Sequence, residues 1–170
     1  VDGAYSINVG GLSFPTILKV ADGTTVYFSI AHAEGTVNIH PFSDLVVRTY
    51  CKTAGIANLS NVFDSSFSSL IPKLPSKTAI DFVAASVGNI VESVMRRNNV
   101  ATGFDLLTGG FNANSSGFDR VLEETANSME PTDFSSAAIL DLTATTVLST
   151  VKLNANDVTA PSVPGGLAAS

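Results

Sequence analysis

A chain of 170 residues with 45% hydrophobic content is long enough to bury one core and too apolar to be a disordered polypeptide. Only 14% of the residues are charged, with 9 basic against 15 acidic side chains and a formal net charge of -6. That balance argues against nucleic acid, which needs a basic stripe; the only basic clusters are Lys73 to Lys77 and Arg96-Arg97.

The predicted elements begin with strands. Tyr5-Ser6-Ile7-Asn8-Val9 alternates and stops at Gly10-Gly11. Residues 14–20 and 24–31 are rich in Val, Ile, Thr, Tyr and Phe, and Asp22-Gly23 between them is a hairpin signal. Pro41 then suits the first position of a helix, and Phe42, Leu45, Val46, Thr49 and Tyr50 follow at helical spacing. Asp44 lies at the favourable end of that helix's dipole, Arg48 and Lys52 lie towards the other, and Gly55 stops it. His40 stands at the helix start, where it is expected to cap poorly.

A second helix is predicted over 60–71, ended by Pro72 and Pro75. A third and longest runs from about Lys77 to Asn98, capped by Ser76, with Ile80, Val83, Val87, Ile90, Val91 and Val94 as its stripe. Ala84, Ala85, Ser86 and Gly88 keep this helix slim enough for close helix packing. After a Gly/Asn/Ser loop, Phe118, Val121, Leu122 and Thr125 mark a short fourth helix. Residues 136–153 return to strand-like composition. Strands, about four helices, then strands argue an α+β fold. Its small antiparallel sheet joins N- and C-terminal strands around the inserted helical block.

Candidate chemistry is sparse. Cys51 is the sole cysteine, excludes an internal disulfide, and reads as an inert core thiol beside Val46, Val47 and Tyr50. His32, Glu34 and His40 fit no standard zinc spacing. Asp105, Asn112, Asn114 and Asp119 offer oxygen ligands for calcium, but lack the central Gly and terminal Glu of a twelve-residue calcium loop. Glu123-Glu124 reads as a solvated helix face rather than a glycosidase pair. There is no Gly-x-Ser-x-Gly elbow and no phosphate-cradling glycine loop. Asn58-Leu59-Ser60 and Asn114-Ser115-Ser116 match the glycosylation acceptor pattern, read here as chance. No apolar run reaches the roughly 18 residues of a membrane span. Val1-Asp2-Gly3 carries no signal-peptide pattern and reads as an internal start. No catalytic, cofactor-binding or metal-binding residue is assigned.

Two stretches resemble known families. Asp157 to Ser170, with Thr159-Ala160-Pro161-Ser162 and Pro164, resembles the opening of a fibronectin type III domain of secreted bacterial proteins. The segments 14–20, 22–29 and 35–48, with Gly103 to Leu107 and Ser116 to Leu122, resemble a module of bacterial surface lipoproteins and secreted multidomain proteins. The resemblance implies a module over 1–155 and a linker with the start of the next domain over 156–170. It also implies that residues 1–9 close an upstream β domain. The expected function is a non-catalytic structural, adhesive or spacer unit at the cell surface or outside the cell. Its partners would be neighbouring domains of the same polypeptide, other surface proteins, or further copies in a filament joined through a strand edge near 4–9 or 145–153. The alternative is a carbohydrate-binding accessory module of a polysaccharide-degrading enzyme. The lack of Trp and the presence of only Tyr5, Tyr27 and Tyr50 disfavour sugar stacking.

Overall fold

A computed structural model describes residues 5–23 and 25–128. In chain order it contains β1 (Thr16–Asp22), β2 (Thr25–Ala31), α1 (Pro41–Thr53), α2 (Leu59–Ser66), α3 (Lys77–Arg97) and α4 (Gly117–Ser128). The α+β class and the helical block follow the sequence. Among the described residues the sheet has two strands. The expected strands within 136–153 lie outside the described residues.

The hairpin turns at Gly23, whose φ of 57° suits a residue without a Cβ. Its register sets Ile17 opposite Ile30, Lys19 opposite Phe28 and Val20 opposite Tyr27. Alternation therefore gives two faces. Ile17, Phe28 and Ile30 lie on the face that enters the core. Leu18, Val20, Tyr27 and Ser29 lie on the other. Residues 5–9 belong to no strand, contrary to the alternation of Tyr5 to Val9. Their one long-range hydrogen bond seen here is from a side chain, Tyr5 Oη donating to the Val37 carbonyl at 2.8 Å. Alternation alone, without a partner backbone, makes no ladder.

Helix α1 packs against β2 on one side and α3 on another, so it is buried nearly all round. Phe42, Leu45, Val46, Val47 and Cys51 fill the space between. From α3 come Ile80, Val87, Ile90, Val91 and Val94; Leu106, Leu107, Phe118 and Val121 close the core.

The helix ends follow local chemistry. The Asn58 side chain accepts from the Asn61 amide at 2.9 Å and caps α2; the Ser76 hydroxyl accepts from the Ala79 amide at 3.3 Å and caps α3. Helix α2 is shorter than predicted. From Phe67 the chain tightens into two 3₁₀ turns, Phe67–Ser69 and Ile71–Lys73, because Pro72 has no N–H to continue an α-helix. Helix α4 starts one residue earlier and runs longer than its apolar spacing suggests.

Candidate functional site

The most polar part of the interior is built around the start of α1. The His40 ring is 5% exposed and sits among Phe42, Phe111 and Phe118, with the Phe118 centroid 5.2 Å away. Its Nδ1 accepts the amides of Phe42 and Ser43 at 3.2 Å, so the Nε2–H is left to donate to the Leu106 carbonyl at 2.9 Å. These partners fix the neutral tautomer. The Ser43 hydroxyl completes a reciprocal capping box by accepting the His40 amide at 2.9 Å. Contrary to the sequence expectation, His40 caps α1 well, because its ring supplies the acceptor that Ser or Asp supplies elsewhere. Burial lowers its pKa from 6.5 to about 4.

One turn along, Asp44 is fully buried. Its Oδ1 accepts the Phe28 amide at 2.9 Å, and both carboxylate oxygens accept from Arg48 Nε at 2.8 Å. Arg48 reaches on to the Val26 carbonyl at 3.1 Å, and the Ser43 hydroxyl donates to the Phe28 carbonyl at 3.2 Å. Three side chains of α1 thus satisfy three outward backbone groups of β2, the Phe28 N–H and the Phe28 and Val26 carbonyls. Burial raises the Asp44 pKa, an effect that the Arg48 charge and hydrogen bonds partly offset. Sequence reading placed Asp44 and Arg48 only by their sign along the helix. The i, i+4 spacing signals the pair; the β2 backbone they serve is long-range and leaves no local mark.

The other candidates are drawn apart. His32 Nε2 lies 3.0 Å from the Pro75 carbonyl, while His40 turns to Leu106, so His32, Glu34 and His40 do not converge. Among the described residues no cluster of His, Cys, Asp and Glu is arranged to hold a metal ion. The calcium candidates act within turns. Asp105 accepts the amides of Leu107 and Thr108 and the Thr108 hydroxyl. Burial alone would raise its pKa, but these bonds prevail and hold it below the usual carboxylate range. Asp119 accepts the Ser115 amide, and Asn114 the Ser116 amide.

Glu124 departs from the solvated-face reading. It is 5% exposed and bonded to Arg97, Asn98 and Arg120, tying α4 to the end of α3. These partners outweigh its burial and lower its pKa. Glu123 alone keeps the surface role, accepting from the Ser115 hydroxyl at 2.6 Å. Cys51 is buried, and burial pushes its thiol up to about 11.

Two concavities stand out among the described residues. One, of about 540 Å³, lies beside the hairpin, walled by Tyr5, Ile7, Phe14, Leu18, Val37 and Phe111. The other, of about 470 Å³, follows the slim side of α3 at Ala84, Ala85 and Gly88 under the loop at 102–106. The small residues therefore line a surface trough rather than a helix–helix contact. Its charged rim is paired, Lys77 with Asp81 at 2.6 Å and Arg96 with Glu92 at 2.5 Å. By length and composition α3 is apolar enough to cross a membrane, with a mean hydropathy of 1.3, which the sequence reading missed. A core helix meets the same test, and Ile80, Val87, Ile90, Val91 and Val94 are buried here, with Val83 half-buried.

No family model, no curated protein and no solved structure matches this chain. The resemblance to a surface-lipoprotein module followed by a fibronectin type III domain is thereby overturned. The described residues form a mostly helical α+β unit with a two-stranded sheet and no β-sandwich. The fibronectin, lipoprotein and extracellular-filament identities that rested on the resemblance fall with it.

Proposed function

We propose that this chain is a non-catalytic structural module, a spacer or adhesive unit of a secreted or cell-surface multidomain protein. The observation that carries this reading is the employment of the buried polar side chains. His40 joins α1 to the 104–111 loop, Asp44 joins α1 to β2, and Glu124 joins α4 to α3. Each is held by backbone or ion-pair partners within the fold, whereas a general acid or base must present its proton to a substrate. The low charge, with polarity carried by Ser, Thr and Asn, supports a surface setting.

Tyr5, half exposed on the wall of the 540 Å³ groove beside Asn38 and Glu34, favours carbohydrate binding as the second reading. Force spectroscopy of the full chain between handle domains, paired with a glycan array, tests both. A spacer gives one resolved unfolding peak and no enriched glycan. A glycan that binds the wild type and is lost in Tyr5→Ala moves the assignment to carbohydrate binding. Extension without a resolved peak overturns the spacer reading.

A further inference from the structure

The two edges of the hairpin are treated differently. On β2, Asp44 takes the Phe28 N–H, and Ser43 and Arg48 take the Phe28 and Val26 carbonyls. Those groups therefore point away from β1. In an antiparallel pair, residues opposite one another direct their backbone groups the same way, inward or outward. Phe28 faces Lys19, Ile30 faces Ile17 and Val26 faces Ala21, so the N–H and C=O groups of Ile17, Lys19 and Ala21 point outward from β1. Among the described residues none of these backbone groups has a hydrogen-bond partner. A lysine on an edge strand ordinarily guards it against an added strand. Here the Lys19 Nζ is drawn to Asp64 at 2.6 Å, and the edge is left open.

The same strand walls the 540 Å³ groove through Thr16 and Leu18. These residues alternate with Ile17 and Lys19, so a strand laid along the β1 edge sets every second side chain on the groove's side. That side is apolar: Val20 is 44% exposed and Ile7 50%, and Phe14 and Leu18 join Ile7 in the groove. Glu34 is the one charged residue in the lining. It is exposed, and among the described residues it has no ion-pair partner.

We infer that the β1 edge and this groove together bind an extended peptide segment of another protein by strand addition. The peptide carries apolar side chains at alternate positions and one basic residue. Backbone hydrogen bonds to Ile17, Lys19 and Ala21 give affinity, the groove reads the alternate side chains, and Glu34 takes the basic group. A net charge of -6 favours a basic partner in the same sense. The antiparallel direction makes the more stable ladder. Glu34 follows Ala31, which pairs with Thr16, so the basic residue falls at the C-terminal end of an antiparallel peptide. The site goes beyond the structural role proposed above and does not rest on it, since strand addition needs only the edge and the groove.

NMR titration of the full chain tests the inference. The probe is a capped seven-residue peptide matched to the seven residues of β1, with valine and threonine in alternation and lysine at the C-terminal end. In the free protein the amides of Ile17, Lys19 and Ala21 should exchange fast, and saturating peptide should slow them about tenfold. Methylating every second backbone nitrogen of the probe should abolish binding in one phase and spare it in the other, because only alternate amides face β1. Ala21→Pro removes an outward donor and should weaken binding about tenfold. The inward amides of Leu18 and Val20 should keep their protection in this variant, which separates loss of the edge from loss of the hairpin. Glu34→Gln should weaken the lysine probe about two- to fivefold, as an exposed ion pair allows. Amides of 17–21 that do not shift at about 1 mM probe overturn the inference. Equal loss in both methylation phases also overturns it, as does slow exchange of Ile17, Lys19 and Ala21 without peptide, which assigns the edge to this chain or a second copy.

Discussion

His40 shows how one side chain can serve both a helix end and a core. Its cation has no place in the site, because Nδ1 is already an acceptor and the ring is walled by phenylalanines. The folded pKa of about 4 lies below the ordinary 6.5. Its stabilisation is therefore complete above pH 6.5 and is lost as pH falls towards 4. The shift corresponds to about 3 kcal/mol at about 1.36 kcal/mol per unit. Asp44, whose pKa is raised, contributes in the opposite direction and blunts the acid response of the whole protein. His40→Asn isolates the histidine. Asn keeps the cap but cannot reach Leu106, so urea unfolding at neutral pH should show a loss of about 1–3 kcal/mol. The stability difference from wild type should shrink between pH 6.5 and 4. Cys51, buried with its thiol at about 11, should resist a thiol reagent at pH 8 in the native state and react fully in denaturant.

At the scale of elements, the loop between α3 and α4 is held by rings and a close backbone approach. Phe104 stacks on Phe118 at 4.4 Å, and Phe111 meets Phe118 at 5.1 Å. Phe118→Ala should cost about 3–5 kcal/mol in urea unfolding. A Cβ on Gly109 would lie 2.5 Å from the Asp105 carbonyl and 2.7 Å from the Phe104 ring. Gly109→Ala should therefore destabilise by about 1–3 kcal/mol and shift the NMR signals of Phe104 and Phe111.

The elements themselves were largely legible in the sequence. Asp22-Gly23, Pro41 and Ser76 are local signals, and each stands where its chemistry sets it. The failures were non-local. Tyr5 to Val9 alternates without joining a strand, and the small residues of α3 face a trough. Glu124 looks like its neighbour Glu123 until Arg97 and Asn98 arrive from another helix. For the same reason the role of Asp44 could not be read: its partner, the Phe28 amide, lies across a tertiary contact.

Across the whole molecule, the chemically capable side chains serve cohesion. The hairpin is bound to α1 at one edge, α1 to the 104–111 loop through His40, and α4 to α3 through Glu124. A lone hairpin is marginal in water; here α1 supplies three hydrogen bonds of the kind a further strand would otherwise give to β2. An active site tends to cost stability, so replacing a working group often stabilises the protein. A structural group does the reverse. The direct measurement is urea unfolding of Asp44→Asn against wild type at pH 7. Breaking a buried pair costs about 3–5 kcal/mol, and Arg48 keeps 17% of its side chain in solvent, so the expected loss is about 2–3 kcal/mol. Faster exchange of the Phe28 amide should accompany it. Unchanged or increased stability would contradict the account.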